Sequence, residues 1–267
     1  MRATAVRRSA LTVSAVSLAL LVTACGGGDQ DGEDKKAGGA AKSDKPAAKT
    51  LTAAELEKRM IAQGDVKGQE IKKPGKDDVQ EPGAFSVDKS ECEPVAQALS
   101  ALATGKPAAT VQRLVVEESA AAKKGMPSVE EMGEMTEKEV EEATIDSLDI
   151  TKTLVSLWSY DAEGAEQSLT ALRESAKKCA GGFTVTTDGE KQQVTKVSEE
   201  KISAGQDAVA WTVGTKQDGT EADTKVVVFR EGNTLAGFSS FNIASVTRGE
   251  KYEQPTAVID AQAAKLG

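Results

Sequence analysis

The chain has 267 residues, 33 Lys and Arg against 42 Asp and Glu, 3% aromatic residues and no histidine. The missing histidine removes the commonest general base, the usual zinc or copper ligand and every Ser-His or Cys-His nucleophile arrangement. An acidic chain without clustered Lys or Arg suits neither nucleic acid nor an anionic lipid surface, so no nucleic-acid partner is expected.

The first 24 residues carry Arg2, Arg7 and Arg8 and no acids, followed by an apolar run from Ala10 to Val22. A basic start, a short apolar stretch and small residues before a cleavage point form an export signal, too short to span a bilayer as a mature helix. Leu21-Val22-Thr23-Ala24-Cys25 resembles the bacterial lipobox, in which a cysteine thiol takes a diacylglyceryl group and becomes the new N-terminus. Cys25 is therefore the expected lipidation site and the link to the membrane; an ordinary signal peptide leaves the position of Cys25 unexplained. Arg7-Arg8 faintly resembles a twin-arginine signal, and the export route stays open. Without those three arginines, 30 basic residues face 42 acidic ones, a net charge of −12.

Residues 26–49 are mostly Gly, Ala, Lys and Asp, with no large apolar side chain. They cannot bury enough surface to offset ordering entropy and read as a tether reaching roughly 25–30 Å. The chain thus divides into a signal over 1–24, a lipidated cysteine and tether over 25–49, and an extracytoplasmic domain over 50–267.

Within that domain, Leu51–Ile61 predicts a short amphipathic helix with Leu56, Met60 and Ile61 on one stripe and Thr52 and Glu55 as a capping box. A Pro- and Gly-punctuated stretch runs to about Gly83. Cys92–Ala103 predicts a helix with Val95, Leu99 and Leu102 on one face and Pro94 in its first turn. Thr110–Glu117 and Ser147–Tyr160 are β-rich, the second long enough to suggest a bend or bulge. Ala165, Leu169, Leu172, Ala176 and Cys179 repeat with helical period, and Gly181-Gly182 stops that helix. From Gly182 onward five short strands are expected, with Asp188-Gly189, Asp218-Gly219 and Gly232-Asn233 at turns, Val209, Trp211 and Val213 on one face, and a closing helix from Pro255 carrying Val258, Ile259, Ala263 and Leu266. The fold class read from this order is α+β: one domain, a curved antiparallel sheet ending in a meander, with helices packed on one face.

The lipobox and tether, the opening helix Leu51-Thr52-Ala53-Ala54-Glu55-Leu56, and the run Leu157-Trp158-Ser159-Tyr160-Asp161-Ala162 leading to Leu169, Leu172 and Cys179 lie in a characteristic order. Together they resemble the bacterial sensor-domain lipoproteins related to the extracellular domain of receptor serine/threonine kinases. The chain departs from the kinase-attached members in having two thiols beyond the anchor rather than four, and in lacking a kinase. The resemblance implies a binding or sensing module without catalysis.

Cys92 and Cys179 are the only other cysteines, and export places them in an oxidising compartment, so a structural disulfide closing an 88-residue loop is expected. Residues 117–142 hold nine glutamates and three lysines; Ser128-Val129-Glu130-Glu131 has capping-box form, with Val129, Met132, Thr136 and Val140 along one face. Glu130, Glu131, Glu134 and Glu137 are a candidate acidic docking surface, against the plainer reading of a solvated insertion. Met132-Gly133-Glu134-Met135 has the form of a copper(I) motif but lacks further ligands, and the Asp218–Asp223 carboxylates fail as a calcium loop because the glycine falls second. No metal or cofactor is expected. Trp158, Trp211, Phe238 and Phe241 read as core rather than pocket. With no nucleophile motif, no catalytic residue is assigned. The functional reading is a membrane-anchored ligand-binding or sensing lipoprotein taking an unidentified small ligand or envelope protein; the alternatives are an envelope scaffold or a carboxylate-dependent hydrolase.

Overall fold

The computed structural model describes residues 49–267 apart from Asp218; Cys25 and the rest of the signal and tether up to residue 48 lie outside the described residues. Nine strands form one open sheet: β1 (Glu70–Lys72), β2 (Phe85–Val87), β3 (Ala109–Glu118), β4 (Ile150–Ser159), β5 (Phe183–Thr187), β6 (Glu190–Glu200), β7 (Asp207–Gln217), β8 (Thr220–Glu231) and β9 (Thr234–Asn242). The spatial order is β1-β3-β4-β9-β8-β7-β6-β5-β2, and every neighbouring pair is antiparallel. Among the described residues eight α-helices accompany it: α1 (Ala53–Arg59), α2 (Glu93–Leu99), α3 (Ala120–Lys124), α4 (Val129–Glu134), α5 (Glu137–Ser147), α6 (Gly164–Lys178), α7 (Ile243–Arg248) and α8 (Thr256–Leu266).

The central strands are apolar on both faces, because both are covered. On one face Trp158, Trp211, Val226, Val228 and Leu235 pack with Val95 of α2 and Leu169 and Leu172 of α6. The opposite parity, including Val155, Leu157, Val227, Phe229 and Phe238, packs with Leu56 of α1 and Val258, Ile259 and Leu266 of α8. The expected helix layer on one face is therefore α2 with α6, and α1 and α8 add a second layer on the other. The pattern carried this in the uninterrupted run Val226-Val227-Val228-Phe229, since a strand with one wet face alternates and a doubly covered one does not.

The capping box of α1 forms as expected: Thr52 Oγ1 accepts from the Glu55 amide, and Glu55 Oε2 accepts from the Thr52 amide at 2.9 Å. At its other end, fully buried Gln262 of α8 donates to the Arg59 carbonyl at 2.8 Å and accepts from the Ile61 amide at 3.0 Å. That side chain satisfies helix-end groups that would otherwise be buried without partners. After α6, Gly182 has φ +91°, and a Cβ there would stand 2.3 Å from the Val194 carbonyl, so only glycine lets the chain turn this close to β6.

Three local expectations are revised. Ser147 closes α5 rather than opening a strand, and β4 keeps unbroken register with both β3 and β9. The irregularity falls in β6, between Val194 and Lys196. Strands β6 to β9 run nine to twelve residues and are not short. The acidic 117–142 stretch continues β3 and then forms α3, α4 and the start of α5, none of which has a buried residue.

Candidate functional site

The α2–α6 face is not filled to its edge. Helix α2 ends at Leu99; the amides of Ser100, Ala101 and Leu102 take up the Ala96, Gln97 and Ala98 carbonyls, and hydroxyls of neighbouring elements meet the Leu99 carbonyl and those of the turn that follows. Ser239 Oγ of β9 donates to the Leu99 carbonyl at 2.6 Å, and Ser156 Oγ of β4 donates to the Ala101 carbonyl at 2.8 Å. Three residues further, the Thr104 carbonyl accepts from Tyr160 Oη at 2.8 Å and from Ser168 Oγ at 3.0 Å. Burial pushes the Tyr160 phenol up to about 12, so it holds its proton and stays a donor. These bonds hang the 99–105 turn above the sheet at a fixed height.

Two cavities flank that turn. The first, about 350 Å³, lies between it, the 79–85 segment and β3–β4, with Trp158 and Phe85 among its aromatic lining. The second, about 330 Å³, runs over Leu114, Leu154, Thr224 and Phe241 beside α2. Gln80 lines both and accepts from Ser100 Oγ at 3.4 Å, while Lys152 Nζ reaches Asp78 Oδ1 at 4.0 Å. The 76–83 segment thus lies across the face as a strap between the two spaces.

Trp158 fits only because β9 carries glycine at position 237, which pairs with Ser156 and lies diagonally across from the indole. A Cβ on Gly237 would come within 2.1 Å of Trp158 Cη2. The indole Nε1 and Thr104 Oγ1 are buried with no hydrogen-bond partner. Among the residues lining the first cavity are Glu81 and Glu93 and no Lys or Arg; the second has Asp77, Asp78 and Lys152.

Cys92 and Cys179 are disulfide-bonded, with a Cα separation of 5.7 Å, tying the start of α2 to the end of α6. Cys25 cannot be placed, since it lies outside the described residues. Glu130, Glu131 and Glu134 lie on α4 and Glu137 opens α5; all four are exposed and none lines either cavity. Glu131 has a local duty: its Oε2 accepts from the Ser128 amide at 2.7 Å, which holds its carboxyl below the ordinary carboxylate range. Among the described residues no group of three or more Cys, Asp or Glu is placed to hold a metal ion, and no helix is long and apolar enough to cross a membrane. Of the four aromatics read as core, Trp211 and Phe238 are core alone, Trp158 is core and cavity wall, and Phe241 is 40% exposed at the second cavity. Sequence reading missed Ser156, Ser239 and Tyr160 as the supports of the turn. Their signal was two hydroxyls interrupting apolar strand faces, and a tyrosine one residue past a strand end.

No family model matches the chain, and no curated protein matches it. Among solved structures it is similar to the extracellular domain of PknH from Mycobacterium tuberculosis, at 12% identity and a TM-score of 0.48, covering 82% of this chain and 96% of that one.

Proposed function

We propose that this is an extracytoplasmic lipoprotein, anchored through Cys25, whose domain binds a small ligand beside the 99–105 turn and performs no catalysis. The observation that carries the reading is the built turn: three backbone carbonyls held by four buried or half-buried hydroxyls, with a roomy, partly apolar cavity beneath. Such concave, largely preformed spaces with a few fixed polar groups are what small-molecule sites need. The Cys92–Cys179 bond supports an oxidising compartment and thus export, and the lipobox supports the anchor. The rival reading is an envelope scaffold, favoured by the exposed α3–α5 insertion with Met126 and Val129 at its surface.

Native mass spectrometry of the protein gently released from membranes separates the two. A retained small mass that leaves on collisional activation is expected. A stoichiometric protein partner with no small mass would favour the scaffold.

A further inference from the structure

We infer that the first cavity takes a compact organic amine in its protonated, cationic form, an assignment that rests on the ligand-binding reading above and gives that ligand a chemistry. The argument begins at Gln112 on β3, which lines the cavity. Its Nε2 donates to the Ala101 carbonyl at 3.3 Å and to Ser156 Oγ at 3.0 Å. The carbonyl can only accept, and Ser156 Oγ has given its own hydrogen to that same carbonyl, so it too accepts from Gln112. Both amide hydrogens are therefore used and the amide cannot be reversed without setting oxygen against oxygen. What Gln112 has left to offer is Oε1, an acceptor.

The charged groups point the same way. Glu93, in the first turn of α2, and Glu81, on the strap, line the space from exposed positions, and no Lys or Arg lines it. Lys106 lies between the lining residues Gly105 and Pro107 but is exposed and outside the lining. Gln97 donates to Glu93 Oε1 at 3.3 Å, which leaves Oε2 without a partner among the described residues. Phe85, half-buried, supplies an aromatic face, and ring faces attract cations; Trp158, only 1% exposed, closes the cavity wall behind it. A carboxylate or phosphate entering here would lose hydration, meet two carboxylates and find no cationic side chain to repay it. An ammonium group finds an oriented amide oxygen, carboxylates and the Phe85 ring. The net charge of the chain beyond residue 24, −12, adds a long-range bias toward cations.

The test compares three molecules of one shape: benzylamine, protonated at neutral pH, benzyl alcohol and benzoate. Trp158 and Trp211 are the only tryptophans, and Trp211 does not line the cavity. The full chain, reconstituted in phospholipid nanodiscs and 15N-labelled at tryptophan, therefore shows one reporting indole N–H signal and one internal control. Benzylamine is expected to shift the Trp158 signal at about tenfold lower concentration than benzyl alcohol, with benzoate inert and Trp211 unmoved. Glu81→Gln with Glu93→Gln is expected to abolish the preference while leaving the alcohol's midpoint unchanged. If benzyl alcohol or benzoate matches benzylamine, the cationic assignment is overturned while the cavity remains the binding site. If no member of the series moves Trp158, the assignment and the cavity both fall.

Discussion

At Gly237 a single missing Cβ decides the position of a tryptophan ring. Gly237→Ala is expected to cost roughly 1–3 kcal/mol by overpacking, because Trp158 is only 1% exposed and has nowhere to retreat. A fall of several degrees in melting temperature with an altered near-ultraviolet signal from Trp158 checks it; an unchanged melt contradicts it. A second residue-scale device is Lys225, buried on the opposite face, whose Nζ meets Glu200 Oε1 and Thr212 Oγ1 at 2.7 Å each. Burial opposes the Glu200 charge, but hydrogen bonds from Lys225, Thr212 and Gln254 outweigh it and hold the carboxyl below its ordinary 4.5. Its folded value being depressed, Glu200 stabilises the fold above pH about 4.5, and that contribution is lost as the pH falls through the folded value. Glu200→Gln is therefore expected to be less stable at pH 7, with Lys225 left buried and unpaired, yet to lose less stability than wild type between pH 5 and 3. Parallel melts across that range measure it, and identical slopes would contradict the pairing. Cys25 belongs to this scale as well: Cys25→Ser is expected to move the protein out of the detergent phase in membrane partitioning, and unchanged partition would remove the anchor.

At the scale of elements, the α2–α6 pair depends on the Cys92–Cys179 bond, 87 residues apart in sequence. Loop-closure entropy assigns it roughly 4–5 kcal/mol, acting through the unfolded chain. Replacing both cysteines with serine is expected to lower the melting temperature by roughly 10 °C while keeping the fold; non-reducing peptide mapping that finds both thiols free would refute the bond. Much of this level was legible in sequence. The capping box of α1, the Pro94 start of α2, the stripe of α6 and the hairpin glycines, such as Gly189 with φ +87°, are local signals and mark their elements directly. The edge strands β1 and β2 were not legible, since three residues of pairing carry no period and owe their shape to β3 and β5. Helix α7 was also missed: Asn242 caps it, its Oδ1 accepting from the Ser245 amide at 2.8 Å, but Ser and Thr within the segment disguise it as loop.

At the scale of the molecule, the fold class was readable and the site was not, for a physical reason. Strand alternation and helix period report burial, and burial gives the layers. The site arises where Ser156, Gln112, Tyr160 and Ser168, up to 56 residues apart along the chain, converge with the 99–105 turn, and only the β3–β4–β9 register brings them together. The central claim is that the ligand sits beneath that turn. Thr110 lines the first cavity from an exposed position on β3, so Thr110→Phe fills the space without entering the core. Native mass spectra of wild type and Thr110→Phe, released identically from membranes, test the claim most directly. The expected result is a small retained mass in wild type and its loss in the variant, with both proteins equally folded; equal retention in the two, or a bare wild-type mass, would contradict it.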